Sequence, residues 1–242
     1  MANRVLIIGD GLLGTELHEQ TGWDIISRKK NNIDINTPES YTEHILQYID
    51  DSYHGRLGYS VKYDTIVNCT AYTDSYSSDP SDHLAVNYNA VAKLVDVCNK
   101  YIIKLVHIST EFVYANNSNK ATERDIPNPL ASWYAVSKLL GDLFIQSESE
   151  NYLICRLLHK AKNLKYNDVW KVKTSGDTVD KIADLVIKLI SKDASGMFNV
   201  GTGDKFIKEI IDFNNEIEAP NYVPRDTAMN LNKLNTFLNE KI

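Results

Sequence analysis

The sequence of 242 residues is poor in the residues that hold small secreted domains and metal sites together. Its three cysteines, Cys69, Cys98 and Cys155, lie far apart, are odd in number, and have no second Cys or paired His at metal-binding spacing. We therefore predict small buried thiols in a reducing cytosol rather than a disulfide framework. The six histidines form no close pair, so no metal site is predicted either.

Long apolar runs and an excess of basic charge are also missing. No apolar segment approaches the roughly 20 residues that a membrane-spanning helix needs, and Val5–Ile8 is too short for the core of a signal peptide. The net charge is −6 and no segment forms a basic stripe, so neither nucleic acid nor an anionic membrane is an expected partner. With 43% hydrophobic residues, the chain is predicted to be a globular cytoplasmic protein with a sizeable core.

What is present is a regular alternation of strands and helices. The predicted strands are Val5–Ile8, Asp24–Ile26, Thr65–Val67, Lys104–Ile108, Tyr152–Cys155 and Met197–Val200. The predicted helices are Leu12–Gln20, Ser40–Ile49, Ser81–Asn99, Ser132–Gln146, Thr178–Ile190, Lys205–Phe213 and Leu231–Leu238. Apolar, β-branched strands that alternate with helices predict a parallel sheet covered on both faces, which is an α/β doubly wound fold of Rossmann type.

This alternation divides the chain into a large domain and a small lobe. Residues 1–157 are predicted to form an NAD(P)-binding Rossmann domain, with its sheet completed by about 178–200. The remainder, 158–177 and 201–242, is less regular and short, so it predicts a small, reduced C-terminal lobe that binds substrate.

A glycine motif follows the first strand and opens the first helix. Gly9, Gly11 and Gly14 form G-x-G-x-x-G, with Leu12 and Leu13 between the last two. Glycines in this context let the chain turn tightly, let backbone N–H groups approach a pyrophosphate, and let the helix pack closely on the sheet. The N-terminus of the helix then faces the anion, so the motif predicts a dinucleotide site.

The end of the second strand predicts which nicotinamide cofactor binds. The strand is followed by Ser27 and Arg28, and no acidic residue occurs before Asp34. An acid at this point accepts a hydrogen bond from a ribose 2′-OH, whereas a basic residue pairs with a 2′-phosphate. We therefore expect NADPH, and NADH stays an alternative in which Asp34 reaches the ribose.

Two further motifs predict acid–base chemistry. Tyr134 and Lys138 form Y-x-x-x-K at the start of a helix, so both side chains lie on one helical face, about one turn apart. The Lys138 charge is expected to lower the phenol pKa from near 10 toward neutrality. Thr110 follows the fourth strand, at the edge where α/β sheets bind ligands, and its hydroxyl can hold the same carbonyl oxygen that Tyr134 protonates.

The sequence resembles the extended short-chain dehydrogenase/reductases, and within them the dTDP-4-dehydrorhamnose reductases. The resemblance is strong over residues 3–157. It rests on these segments: Gly9–Gly14, Asn68–Thr73, Val86–Asn87, Ser109–Tyr114, and Pro129 before Tyr134 and Lys138. Beyond residue 157 it is patchy, through Thr178–Leu185, Gly196–Val200 and Pro224–Asp226.

The resemblance implies a site and a substrate. It implies that Tyr134 is the proton donor, that Lys138 binds the nicotinamide ribose, and that Thr110 bonds the 4-keto oxygen of a nucleotide-activated 4-keto-6-deoxy sugar. The residues that it implies around the cofactor, besides the glycine loop and Ser27–Arg28, are Asp34, Ile35, Asn68, Thr70, Ala71, Tyr72 and Asn87. It leaves a homodimer open.

The chain departs from the family in its substrate half. Arg156-Leu157-Leu158-His159 stands where reductases usually have Arg-Thr-Ser-Trp, and the usual helix and loop that follow are mostly missing. Two alternatives therefore stay open beside the reductase: an epimerase or dehydratase with tightly bound NAD⁺, and a non-catalytic regulatory homologue on the same fold. The missing acid at the second strand and Phe112 oppose the former, and the intact set of Thr110, Tyr134 and Lys138 opposes the latter.

Overall fold

A computed structural model describes residues 4–33, 38–49, 61–74, 77–115, 120–129, 132–163, 165–221 and 223–240. The strands in this part of the chain are β1 (Val5–Ile8), β2 (Asp24–Ile26), β3 (Thr65–Asn68), β4 (Lys104–Thr110), β5 (Tyr152–Leu157), β6 (His159–Lys160), β7 (Lys165–Trp170), β8 (Lys173–Thr174), β9 (Asp177–Thr178), β10 (Gly196–Asn199), β11 (Lys205–Phe206) and β12 (Asp212–Ile217). The α-helices are α1 (Leu12–Thr21), α2 (Arg28–Asn31), α3 (Pro38–Ile49), α4 (Ser81–Leu84), α5 (Ala90–Tyr101), α6 (Trp133–Glu148), α7 (Val179–Ser191) and α8 (Asn232–Asn239). A π-helical turn, Ala85–Asn89, joins α4 to α5, and 3₁₀ turns cover Glu111–Tyr114 and Ile207–Glu209.

Six strands form one parallel sheet in the order β10-β5-β4-β3-β1-β2. The strands β2 and β3 flank β1 on opposite sides, so the winding reverses at β1 and opens a crevice at the carboxyl ends of β1 and β3. The register places Ile8 beside Asn68, which brings the segment after each strand to the same point. The predicted Rossmann-type sheet is confirmed.

Helices cover both faces of the sheet. On one face α1, α7 and α8 bury the apolar side chains Leu17, Ile182 and Leu234 against the strands. On the other face α3 and α5 bury Ile45 and Leu94 in a second cluster. Every residue of β1 and β3 is buried, which explains why these strands are continuous apolar runs and not alternating ones. None of the described helices combines the length and the apolarity that a bilayer crossing requires.

One predicted helix is wrong. Residues Lys205–Phe213 form β11, a 3₁₀ turn and the start of β12, and only the strand Asp212–Ile217 continues further. The backbone N–H of Ile207 donates to Val172 O (3.0 Å), and β12 pairs in parallel with β7. A short apolar run fits both helical and strand periodicity, and here the pairing with a distant strand decides the outcome.

The segment from β6 to β9 and the segment from β11 to Val223 build a small second layer beside the sheet. The strands β7 and β12 form a two-stranded parallel ribbon, and β8 pairs antiparallel with β11. A small apolar cluster lies beneath them, formed by Val169, Val172, Ile207, Ala219 and Val223. This layer stands at the carboxyl edge of β5, so it closes one end of the crevice.

Candidate active site

Two adjoining cavities occupy the carboxyl edge of the sheet. The smaller has a volume of about 310 Å³ and the larger about 560 Å³. They meet at Gly11, Cys69 and Ala71, which line both, so they form one elongated cleft that crosses the switch point of the sheet. Ligands of doubly wound α/β proteins bind at this position.

The glycine loop forms the floor where the two cavities meet. Gly9 has a φ of 107°, a conformation that disfavours any other residue. A Cβ on Gly14 would lie 1.9 Å from the carbonyl oxygen of Gly9, so α1 packs directly on the loop. A Cβ on Gly11 would meet nothing within 4 Å, and no side chain caps α1. The helix therefore presents open backbone N–H groups above free space, and the loop fits a pyrophosphate.

The smaller cavity ends at Ser27 and Arg28. Ser27 is buried and caps α2, because its hydroxyl accepts a hydrogen bond from the backbone N–H of Lys30 (3.1 Å). Arg28 is exposed and lines the cavity, and an arginine at this position can pair with an anion bound there. Asp34 and Ile35, which were also predicted to contact the cofactor, lie outside the described residues.

The predicted catalytic residues meet in the larger cavity. Thr110, at the end of β4, is 4% exposed, while Tyr134 at the start of α6 is half-buried and Lys138, one turn later, is 1% exposed. The Thr110 side chain lies near the Tyr134 phenol and acts to lower its pKa. The ring of Phe112 packs edge-on against Tyr134, with 6.2 Å between the ring centroids. All three predicted side chains therefore line one cavity.

The pKa of Tyr134 is raised in this structure, not lowered as the spacing to Lys138 led us to expect. Burial is the main cause, and the nearby Thr110 side chain acts in the opposite direction. Burial also lowers the pKa of Lys138 to about 8. The side-chain nitrogen of Lys138 donates to Ile108 O (2.6 Å) and lies 3.1 Å from Nε2 of His107, so its partners are on β4.

The residues after β3 divide between the cleft wall and its support. Thr70, Ala71 and Tyr72 line the cleft, whereas Asn68 and Asn87 are buried behind it. Asn87 lies in the π-helical turn, where its side chain accepts from the Tyr72 backbone N–H (2.9 Å) and donates to Tyr72 O (3.0 Å). Asn87 thus fixes the backbone of the wall, and π-turns of this kind often occur at functional sites.

The predicted site residues did not include several residues that line the larger cavity. Cys69 follows β3 and Ser109 lies near the end of β4, and both fall in segments that carry the family resemblance, so their position could have indicated them. The others follow β5 or come from the second layer: Leu158, His159, Lys160, Tyr166 and Trp170. Leu158 and His159 lie where the chain departs from the family, and the last three had no recognisable motif. These side chains wall the end of the cleft that lies away from Arg28.

Several polar groups in this cavity point to a ligand. The buried hydroxyl of Ser109 and Nδ1 of His159 have no hydrogen-bond partner among the described residues. Burial lowers the pKa of His159 to about 4, and Lys160 adds to that effect, so the imidazole is neutral near pH 7. Lys160 lies 5.9 Å from the ring centroid of Tyr166 and supplies positive charge at this end. Buried polar groups without protein partners are typical of sites that hold a polar ligand.

Glu111, the acid next to Thr110, does not line the cleft. It is fully buried, and one carboxylate oxygen accepts hydrogen bonds from the hydroxyl groups of Thr174 (2.5 Å) and Thr227. Burial raises the pKa of this carboxyl group to about 7. In the part of the chain that the structure describes, no group of three His, Cys, Asp or Glu side chains is placed to hold a metal ion.

Comparison with known proteins agrees with this arrangement. The family described as the RmlD substrate binding domain matches residues 3–184. The chain belongs to that family. The matched region contains the glycine loop, the segment after β3, and Thr110, Tyr134 and Lys138.

The curated relatives match this chain over different lengths. A probable low-salt glycan biosynthesis reductase of Haloferax volcanii is 29% identical over 185 residues, which are 66% of this chain and 58% of the relative. A dTDP-4-dehydrorhamnose reductase of Sinorhizobium fredii is 30% identical over 122 residues, which are 49% of this chain and 41% of the relative. The chain thus spans about half the length of the curated relatives that it matches.

Solved structures share the fold over nearly the whole chain. The crystal structure of dTDP-4-dehydrorhamnose reductase from Bacillus anthracis, in complex with NADP, superposes with a TM-score of 0.76 at 21% identity. The superposition covers 98% of this chain and 93% of that one. At this identity the likeness shows the fold alone.

Proposed function

We propose that the protein is an NADPH-dependent reductase of a nucleotide-activated 4-keto-6-deoxy sugar, similar to the dTDP-4-dehydrorhamnose reductases. The observation that carries the proposal is the placement of Thr110, Tyr134 and Lys138 in one cavity of a cleft that begins at a glycine loop fit for a pyrophosphate. A carbonyl oxygen placed near both hydroxyl groups can accept two hydrogen bonds at once. Such an oxygen becomes negatively charged as the carbonyl carbon is reduced, and the two hydroxyl groups stabilise that charge.

The residues of the chain supply the proton and the orientation. When bound, the reduced nicotinamide cofactor supplies a hydride to C4 of the sugar. Tyr134 then transfers its phenolic proton to the carbonyl oxygen, and the resulting C–O–H group replaces the C=O bond. Thr110 holds the same oxygen, so the keto group is presented in one orientation. The raised pKa of Tyr134 keeps the phenol protonated before the reaction, as a proton donor requires.

The cofactor assignment is supported by the smaller cavity. Arg28 lines it and can pair with a 2′-phosphate, and a structural neighbour with the same fold is a complex with NADP. The proposed cofactor contacts are Gly9, Gly11, Leu12, Leu13, Ser27, Arg28, Thr70, Ala71 and Tyr72, with Gly14, Asn68 and Asn87 supporting them from behind. NADH stays an alternative that titration separates.

The substrate is assigned to the other end of the cleft. Tyr166 and Trp170 supply aromatic surfaces there, and Lys160 supplies a cation, so the wall suits a sugar joined to an anionic nucleotide. We propose a cytoplasmic location for the enzyme, where nucleotide sugars are available. A homodimer stays a prediction that light scattering can test.

The decisive experiment is a panel of nucleotide-activated keto sugars incubated with NADPH. Loss of reduced-cofactor absorbance together with a product heavier by two hydrogens is expected for at least one member. An isomer of equal mass, formed with NAD⁺ that survives purification, would indicate an epimerase instead. No change with any sugar, despite NADPH binding, would favour a regulatory homologue.

Substitution of Tyr134 tests its role directly. Tyr134→Phe is expected to lower kcat by about 10²–10⁴-fold, because the missing proton donor acts in the transition state. NADPH affinity should stay nearly unchanged. Tyr152→Phe is the matched control, since Tyr152 begins β5 at the opposite edge of the sheet. Equal turnover by the Tyr134 and Tyr152 variants would contradict the assignment.

A further inference from the structure

Four buried polar side chains form a line from the cleft wall to Lys138. Nδ2 of Asn68 lies 3.2 Å from Nδ1 of His107, and Nε2 of His107 lies 3.1 Å from the side-chain nitrogen of Lys138. At the other end, Oδ1 of Asn68 accepts from the backbone N–H of Thr70 (3.1 Å) and from its hydroxyl (2.6 Å). Asn68, His107 and Lys138 are each at most 1% exposed, so these contacts are shielded from bulk solvent.

The directions of these hydrogen bonds are fixed by one group that can only donate. The Thr70 backbone N–H faces Oδ1 of Asn68, so the amide of Asn68 must turn its NH₂ group toward His107. Nδ1 of His107 is then an acceptor without a proton. A neutral imidazole carries its proton on the other nitrogen, so Nε2–H points at Lys138.

An ammonium group cannot accept that proton. Lys138 as –NH₃⁺ would place two donors against each other, whereas a neutral amine accepts from Nε2–H and donates one of its own hydrogens to Ile108 O. We propose that His107 and Asn68 are positioning residues that set the charge of Lys138, because the tautomer they impose favours the neutral amine. Ionisation of Lys138 then requires the contact with His107 to break or the imidazole to change tautomer.

The other ionisable groups near Lys138 do not set its charge in place of His107. Asp142, one turn further along α6, favours the charged lysine, but its carboxylate is paired with Arg156 (2.9 Å). Cys69, which also lies near Lys138, has its pKa raised to about 12 by burial, so it is an uncharged thiol. Burial lowers the pKa of Lys138 to about 8 and that of His107 well below its usual value, so burial acts in the same direction as the hydrogen-bond geometry.

The consequence for catalysis rests on the proposed function. If the ammonium form of Lys138 holds the ribose of the cofactor, binding takes up a proton whenever the pH exceeds the pKa of Lys138. NADPH affinity should then fall by up to about tenfold per pH unit above that pKa. A lysine with its ordinary pKa of 10.5 would leave NADPH affinity independent of pH between about 8 and 9.5.

The tautomer of His107 is measured first, on the wild-type protein without cofactor. Nitrogen-15 NMR of the labelled protein should show His107 with Nε2 protonated and Nδ1 unprotonated at pH values above the pKa of Lys138, where the amine is neutral. A protonated Nδ1 would overturn the proposal. This readout does not depend on any enzymatic activity, so it stands even if no sugar is reduced.

Asn68→Asp then tests the coupling. A carboxylate accepts where the amide donated, so the proton of His107 should move to Nδ1, and the pKa of Lys138 should rise by about one to three units. Asn87→Asp is the matched control, because Asn87 is equally buried and donates to the hydroxyl of Ser137 on α6 (3.0 Å). This substitution adds a carboxylate near α6 at a residue that does not contact His107. It should leave the His107 tautomer unchanged. Retention of Nε2–H in Asn68→Asp would overturn the proposal, and if that variant does not fold, the wild-type tautomer alone decides.

Discussion

The glycine loop allows folding and cofactor binding to be separated by two substitutions of the same kind. Gly14→Ala places a methyl group 1.9 Å from the carbonyl oxygen of Gly9, and that oxygen belongs to the backbone and cannot turn aside. Relief of the overlap requires α1 to move away from the sheet. We expect a loss of about 3 kcal/mol in the free energy of unfolding, which corresponds to a fall in Tm of about 6–12 °C for a chain of this size.

Gly11→Ala should behave in the opposite way. Its φ is −68°, which alanine adopts without strain, and the added methyl group meets no protein atom within 4 Å. The gain from a less flexible unfolded chain, about 0.4–1 kcal/mol, is offset by the poorer capping of α1 by alanine. The free energy of unfolding should therefore change by less than about 0.5 kcal/mol.

Cofactor affinity should nevertheless fall in Gly11→Ala, because the methyl group fills the space assigned to the pyrophosphate. Overpacking of about 1–3 kcal/mol corresponds to roughly a ten- to hundredfold weaker Kd for NADPH. Urea denaturation gives the stability, and fluorescence titration with NADPH gives the affinity. Wild-type affinity in Gly11→Ala would show that the dinucleotide does not cross the loop at Gly11, and the cleft would need another occupant.

Three further predictions concern single side chains. Arg28→Ala should weaken NADPH binding by about ten- to hundredfold and leave NADH binding nearly unchanged, whereas the exposed neighbour Lys29→Ala should affect neither; equal losses for both cofactors would contradict the 2′-phosphate contact. The pKa of Glu111 is raised from 4.5 to about 7 in the fold, so its contribution to stability is present below pH 4.5 and is lost as the pH rises through about 7, a fall of about 3 kcal/mol. Glu111→Gln should flatten that part of the stability profile measured by urea denaturation, and an unchanged slope would refute the buried-acid explanation. Asp142→Ala should cost about 3–5 kcal/mol, because it leaves the buried guanidinium of Arg156 unpaired; a loss below about 1 kcal/mol in thermal unfolding would mean that water reaches Arg156.

The sheet and its covering helices could be predicted because their signals are local and repeated. Each strand is an apolar run, each covering helix has an apolar face, and glycine motifs mark the junction between β1 and α1. The second layer could not be predicted in the same way. Lys165–Trp170 carries mostly polar side chains and becomes a strand only because Asp212–Ile217 pairs with it from more than forty positions away. The aromatic wall of the cleft, Tyr166 and Trp170, depends on that pairing.

The sign of the Tyr134 pKa marks the limit of spacing as a guide to electrostatics. Four residues of helix bring Tyr134 and Lys138 to one face, but spacing does not say where a long side chain ends. In the fold, β4 offers a carbonyl oxygen and an imidazole, and the lysine nitrogen contacts both. Burial then dominates both groups, so it raises the pKa of Tyr134 and lowers that of Lys138. The chemistry of Y-x-x-x-K in this chain therefore depends on His107 and Asn68, two residues that no motif spacing connects to it.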